Sequence, residues 1–355
     1  MEQEKMKKNP LSAQLDVSDF LPADESEKQS LVVMRESVSF WKDGVRRLLK
    51  NKVAMVSLVV IILVMIFAFI LPIFYPYSYD EQLRGRENLG MMEPIPEKAL
   101  ALAESKGLST FPHILGTDNM GRDYMIRVMM GTRISLLVGI TASVIILFIG
   151  SLYGAIAGYF GGKVDMMMMR LVDIIYTVPD ILIIILLSVT LKYPLKQLAA
   201  DYPAMFGWIE TVGVGLVCIF IVFALLYWVG MARIVRSQIL ILKEQEYVTA
   251  AKALGAGSGH IIRKHLLTNC IGTLIVTTTL QIPSSIFTES FLSFIGLGVA
   301  APMTSLGSLA SAAIGGISSY PHRLLIPALM ISLIILSFNL LGDGLRDAFD
   351  PKLKN

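Results

Sequence analysis

The chain is organised by apolar runs too long to be accounted for by a soluble core. A helix crossing the ~30 Å hydrocarbon layer of a bilayer needs ~20 apolar residues. Residues 53–73 form such a run without a single charge. Further runs cover residues 134–159, 174–191, 212–231, 271–287 and 324–341. Composition agrees: of 355 residues, 54% are hydrophobic and only 17% charged, with a mean hydropathy of +0.63. The expectation is an all-α membrane protein with about six transmembrane helices. Pro179 falls in the third run, Pro283 breaks the fifth and Pro327 lies near the start of the sixth. A proline removes one backbone hydrogen bond and bends its helix, for packing or for gating.

Basic residues set the expected orientation. Arg46, Arg47, Lys50 and Lys52 precede the first run, and Arg233 and Arg236 follow the fourth. Both termini are then expected in the cytoplasm. The 74–133 segment falls outside yet carries Arg84, Arg86, Arg122, Arg127 and Arg133, but the rule weakens for long loops. The expected organisation is a polar cytoplasmic tail (1–45), an N-terminal transmembrane helix (46–73) and an external segment with an interfacial helix (74–133). A core of five transmembrane helices (134–342) follows, containing an internal loop (232–269), and a cytoplasmic C-terminus closes the chain (343–355). The first apolar run is too long for a signal peptide and starts after some 50 residues.

Several functions are excluded. A net charge of +3, with no basic block interleaved with aromatics, argues against nucleic acid. Cys218 and Cys270 lack CxxC partners, and His113, His260, His265 and His322 are scattered. No metal, disulfide or nucleophile constellation is expected. The GGK of residues 161–163 is not a phosphate loop, because Ala157 and Val164 break GxxxxGK[ST]. No cofactor and no enzymatic activity are expected of this chain.

The internal loop reads RIVRSQILILKEQEYVTAAKALGAGSGHIIRKHLLTN. Ala250, Ala251 and Leu254 fall at helical spacing, and Gly255 is a natural C-cap. A second short helix is expected from His260 to Leu267, with Ile261, Ile262 and Leu266 on one side. The result is a compact knob, whether it lies on lipid or docks another protein. Ionisable groups inside spans are functional candidates by default. Asp180, just after Pro179, is a candidate to line a path or to pair with an arginine such as Arg170. Glu289, past Pro283, could seat an outer gate or bind the nearby Gly-Leu-Gly turn.

The loop resembles the EAA signature of bacterial ABC-importer permeases. TAA occupies 249–251, Gly255 follows at the family spacing, and HLLT stands at 265–268. Thr249 replaces the usual Glu and Thr268 the usual Pro. The segments 116–136, 158–180, 289–298 and 341–353 are similar to successive stretches of the peptide/nickel subfamily. Residues 46–72 resemble the extra N-terminal helix of its C-type subunit. This resemblance implies a type I ABC-importer permease architecture in the bacterial inner or plasma membrane. It implies a homologous permease partner, two cytoplasmic ATPase subunits that use the ATP, and an extracytoplasmic binding protein. The implied cargo is oligopeptides or dipeptides, with nickel chelates or glutathione as alternatives. The implied coupling residues are Glu246, Tyr247, Thr249, Ala250, Ala251, Leu254, Gly255, Ala256, His265 and Leu267. Asp180, Pro283 and Glu289 are the candidates for the translocation path. Without the resemblance, an ion-coupled secondary transporter or a membrane enzyme would also be open.

Overall fold

The computed structural model describes residues 39–301 and 303–349; the predicted tail and the end of the C-terminal segment lie largely outside them. Among the described residues, regular structure is helical apart from an isolated bridge between Thr117 and Asp123. Six of the described helices are long and apolar enough to cross a membrane: Lys52–Phe74, Tyr124–Phe160, Asp180–Asp201, Val214–Leu242, Ile271–Phe294 and His322–Phe349. These are spans one to six. Hydrocarbon offers no hydrogen-bond partner, so a spanning segment must satisfy its backbone internally. Long apolar runs therefore become helices.

Span boundaries differ from the expected ones in three informative places. Span two starts at Tyr124, not residue 134, because Asp123 caps it through Ile126 N–H at 3.0 Å. The interfacial helix expected before this span is thus its own first turns, with Tyr124, Val128 and Met129 buried. Thr117 and Asp118 precede the cap in the loop. Span six runs past residue 341, where its apolar run ends, through Gly342 and Gly344 as far as Phe349. Those glycines serve close packing: a methyl on Gly344 would strike Ala54 of span one, and one on Gly342 would strike Leu280 of span five. Span five likewise continues through Pro283 without a break.

The third expected run divides. Gly161 and Gly162 turn the chain at φ +63° and +52°, a region that costs glycine little. The helix Gly162–Thr177 then folds back along span two, where Tyr153 Oη donates to Met168 O at 2.8 Å. Pro179 ends this helix, and span three begins at Asp180. The break faces Leu226, Tyr227, Val229 and Gly230, near the middle of span four. Span three is thus separated from the preceding helix by a break at Val178 and Pro179.

The segment between spans one and two is folded around buried polar groups. Asp118 accepts from Met120 N, Arg122 N and Arg122 Nε and pairs with Arg127. Arg127 also reaches Thr304 at 2.9 Å. Burial pushes the Asp118 carboxyl up, but these donors outweigh it and hold the group below the ordinary carboxylate range. His113 Nδ1 meets Asp123 Oδ2 at 2.7 Å, and the imidazole stacks on Tyr77.

Span one is tied to the core by a distinctive contact. Pro72 has no N–H, so the carbonyl of Ala68 loses its helical partner. Around it the helix widens into a π-turn, Ile66–Ile70. Arg133 of span two donates from Nε to Ala68 O at 2.9 Å and approaches Phe69 O at 3.4 Å. A hydrogen bond from a charged donor contributes roughly 1.5–3 kcal/mol. Arg133→Gln should therefore lower the thermal stability of the purified protein by about that amount. Cysteine cross-linking between spans one and two should weaken in parallel. A variant with unchanged stability and cross-linking would show that the contact does not hold span one.

Candidate functional site

The loop after span four folds into an elbow of two short helices. The first, Glu246–Ala253, carries a glutamate in its opening turn, where the helix dipole favours it. It closes with a Schellman motif: Ala256 N–H donates to Ala251 O and Gly255 N–H to Lys252 O, both at 3.0 Å. Gly255 sits at φ +82°, which explains a glycine here. The second arm runs through Ser258–His260, the π-turn Ile261–Leu266 and Leu267–Asn269.

One face of the elbow is built into the main core. Val248, Ala251, Ile261, Ile262, Leu266 and Cys270 cluster with Ile146 of span two and Ile239 of span four. Ala256 and Leu267 pack against the same cluster. The opposite face is bare. Glu246, Thr249 and Ala250 are exposed, Leu254 is 89% exposed and Tyr247 39%. Nothing lies within 4 Å of where a Gly255 side chain would begin. His265 is half-buried, with its ring 5.6 Å from His260 and 6.5 Å from Tyr247. The sequence spacing places Ala250, Ala251 and Leu254 together. Instead Ala251 points inward and the other two outward, because the inward stripe is Val248–Ala251.

The path candidates are separated. Asp180 opens span three, exposed, and accepts the Ile181 N–H at 2.9 Å. It lines a cavity of about 400 Å³ at the helix break, together with Tyr176, Pro179 and Tyr227. Its neighbour Asp173 pairs with Arg233 at 2.8 Å. Pro283 is buried inside span five. Glu289 is wholly buried and accepts from Ser135 at 2.8 Å, Ser293 at 2.7 Å and Ser290 at 3.3 Å. Ser293 Oγ in turn accepts the Val299 N–H, and Ser135 Oγ the Leu306 N–H. One carboxylate therefore pins spans two and five to the following turn. Tyr227 of the cavity wall is hydrogen-bonded to Thr288, the residue before Glu289.

Sequence reasoning missed Ser135, Tyr227 and the bidentate pair of Asp165 with Arg236. Ser293 was visible at four residues from Glu289; the others are distant in sequence. Both cysteines are free and buried, and burial pushes the Cys270 thiol up to about 11, which makes it a packing group.

Six apolar helices of spanning length, a break ahead of the third and an elbow rooted in the core define a polytopic membrane protein. Residues 150–355 match the family described as "binding-protein-dependent transport system inner membrane component". Residues 39–90 match the "N-terminal TM domain of oligopeptide transport permease C". The chain is 39% identical to the oligopeptide transport system permease protein OppC of Bacillus subtilis, over 94% of this chain and 97% of that protein. It is 41% identical to the dipeptide transport system permease protein DppC of the same organism, covering 94% and 93%. Identity to OppC of Escherichia coli is 36%, over 89% and 93%. The chain belongs to this family of inner-membrane permeases and is a multi-pass inner-membrane protein.

Removing the Glu289 carboxylate leaves several buried hydroxyls without an acceptor, each at ~1–3 kcal/mol. Glu289→Ala should destabilise the protein by roughly 2–4 kcal/mol, and Glu289→Gln by less. Melting of the purified variants checks this; equal melting of all three proteins would contradict a pinning role.

Proposed function

We propose that this chain is the C-type permease of an ATP-driven importer, forming the path for oligopeptides or dipeptides with a homologous partner. The observation that carries the reading is the elbow: an exposed Leu254–Gly255 tip on a base fused to spans two and four. A tip so bare is suited to a groove on a separate motor protein. A base so well packed passes displacement of the tip into the spans, since close-packed interiors transmit strain. The names of the relatives support peptides as cargo; nothing favours nickel chelates, glutathione or an ion-coupled mechanism. The proposed partners are two cytoplasmic ATPase subunits, which bind and use the ATP, and an extracytoplasmic binding protein. This chain has no phosphate-binding loop of its own, so the proposal gives it no catalysis and no cofactor.

In this scheme both termini and the elbow face the cytoplasm, and the 75–123 segment faces outward. ATP binding closes the ATPases, shifts the two elbows and turns the cavity outward. Differential affinity of ATP for the closed state supplies the bias. Asp180 and Tyr227 line the path, and Glu289 holds the outer turn in register.

Substituting an exposed residue costs little folding energy, so Leu254→Asp should reach the membrane normally. Losing a buried leucine contact of ~1.5–3 kcal/mol should cut peptide uptake at least tenfold and reduce co-purification of the ATPase. Full uptake by this variant would refute the coupling role, and failure of the native chain to bring down any ATPase would refute the importer. Asp180→Asn should lower uptake of lysine-containing peptides more than neutral ones, by about fivefold, the factor supplied by ~1 kcal/mol of charge attraction in water. Competition assays with paired peptides read this directly; equal loss for both would remove Asp180 from the path.

A further inference from the structure

The helix Phe40–Lys50, ahead of span one, has the sequence FWKDGVRRLLK. At helical spacing its residues divide in two. Trp41, Val45, Leu48 and Leu49 fall on one half, and Lys42, Arg46 and Lys50 on the other. Val45 is 48% exposed and Leu49 60%, in a helix whose sequence gives no reason for apolar groups to face water. With Arg47 and Lys52, residues 40–52 carry five basic side chains against the single carboxylate of Asp43.

Two contacts fix where this helix can go. Only Asn51 separates it from span one, and the Asn51 side chain caps that span, accepting from Val53 N at 3.1 Å and Ala54 N at 3.2 Å. The helix must therefore turn at the membrane boundary. Gly44 lies flush against the Phe349 ring at the end of span six, where a methyl would overlap it. The exposed Val45 and Leu49 are thus held beside the ends of two spans, where lipid begins.

We propose that this helix lies in the membrane plane on the elbow side, with Val45 and Leu49 in the acyl boundary and its basic face on anionic phospholipid headgroups. Continuity with span one and the strong basic bias select lipid as the occupant: a basic amphipathic helix at an interface gains both apolar burial and attraction to anionic lipid. The helix then anchors the ends of spans one and six in the leaflet that also borders the elbow. The inference needs only that span one is inserted. It stands or falls independently of the cargo and of the ATPase.

The test uses the full chain in nanodiscs, with and without phosphatidylglycerol. Cys218 and Cys270 are buried, so single spin labels at Val45→Cys, Leu49→Cys, Arg46→Cys and Lys50→Cys report separately. Labels at 45 and 49 should collide with oxygen and be shielded from a water-soluble nickel chelate; labels at 46 and 50 should show the reverse. Each basic residue near an anionic surface contributes about fivefold to lipid association. Arg46→Gln with Lys50→Gln should accordingly weaken phosphatidylglycerol enrichment around the protein about thirtyfold. Labels at 45 and 49 shielded from both reagents would mean that a second protein, another copy or the chain's own tail covers the face, and would overturn the proposal. So would labels at 45 and 49 open to the chelate, or enrichment unchanged in the double variant.

Discussion

Hydrocarbon supplies no hydrogen bonds, so a polar group freed within the spans is costly unless it finds a partner inside the protein. That constraint explains the contacts that join one helix to the next. Pro72 frees the carbonyl of Ala68, and Arg133 reaches across from span two to take it. Glu289 is surrounded by three serine hydroxyls from spans two and five. Asp165 is held by both arms of Arg236 where the folded-back helix meets span four. Apolar side chains can slide past one another in lipid at little cost, because the tails are as apolar as leucine. These polar contacts cannot slide, and so they set register.

The elbow depends on that register. Its inner residues do not form a separate knob resting on the bundle; Val248, Ile261 and Leu266 share one cluster with Ile146 and Ile239. The close approach of span four to span two comes from glycine. Side chains at Gly150, Gly154 or Gly158 would meet Met231, the backbone at Ala232 and Ile239. With those two spans locked together, force on the exposed tip acts on both at once. The helix break at Pro179 lies beside the same span four, next to the span that carries the elbow.

Spans, elbow and glycine cap were legible in the sequence because each follows from local rules: run length, helical period and the left-handed cap at Gly255. What was not legible required neighbours. Gly342 and Gly344 are weak helix formers by propensity, yet they continue the helix, and Leu280 and Ala54 take the space they leave. Pro283 read as a break, but loss of one bond does not end a helix packed on both sides. Helical spacing groups Leu254 with Ala250 and Ala251, and only the position of Val248 shows which of them turns inward. Ser135 could not have been matched to Glu289, since 154 residues separate them.

The arginines between spans one and two, which run against the expected orientation, are explained by the same accounting. The positive-inside rule concerns charges that stay hydrated and free to meet a membrane field. Arg86 is buried beside Glu81 and Ser109, Arg122 and Arg127 converge on Asp118, and Arg133 is committed to the carbonyls of span one. Of the five, only Arg84 is left exposed. By contrast Arg46, Lys50 and Lys52, ahead of span one, are all exposed. Lys98 and Lys106 of the same segment are exposed too, but the elbow side adds Lys252, Arg263 and Lys264 to its own three, so the hydrated basic groups still favour it. The conflict in the raw tally came from side chains that the folded segment had already neutralised, and its removal supports a cytoplasmic elbow.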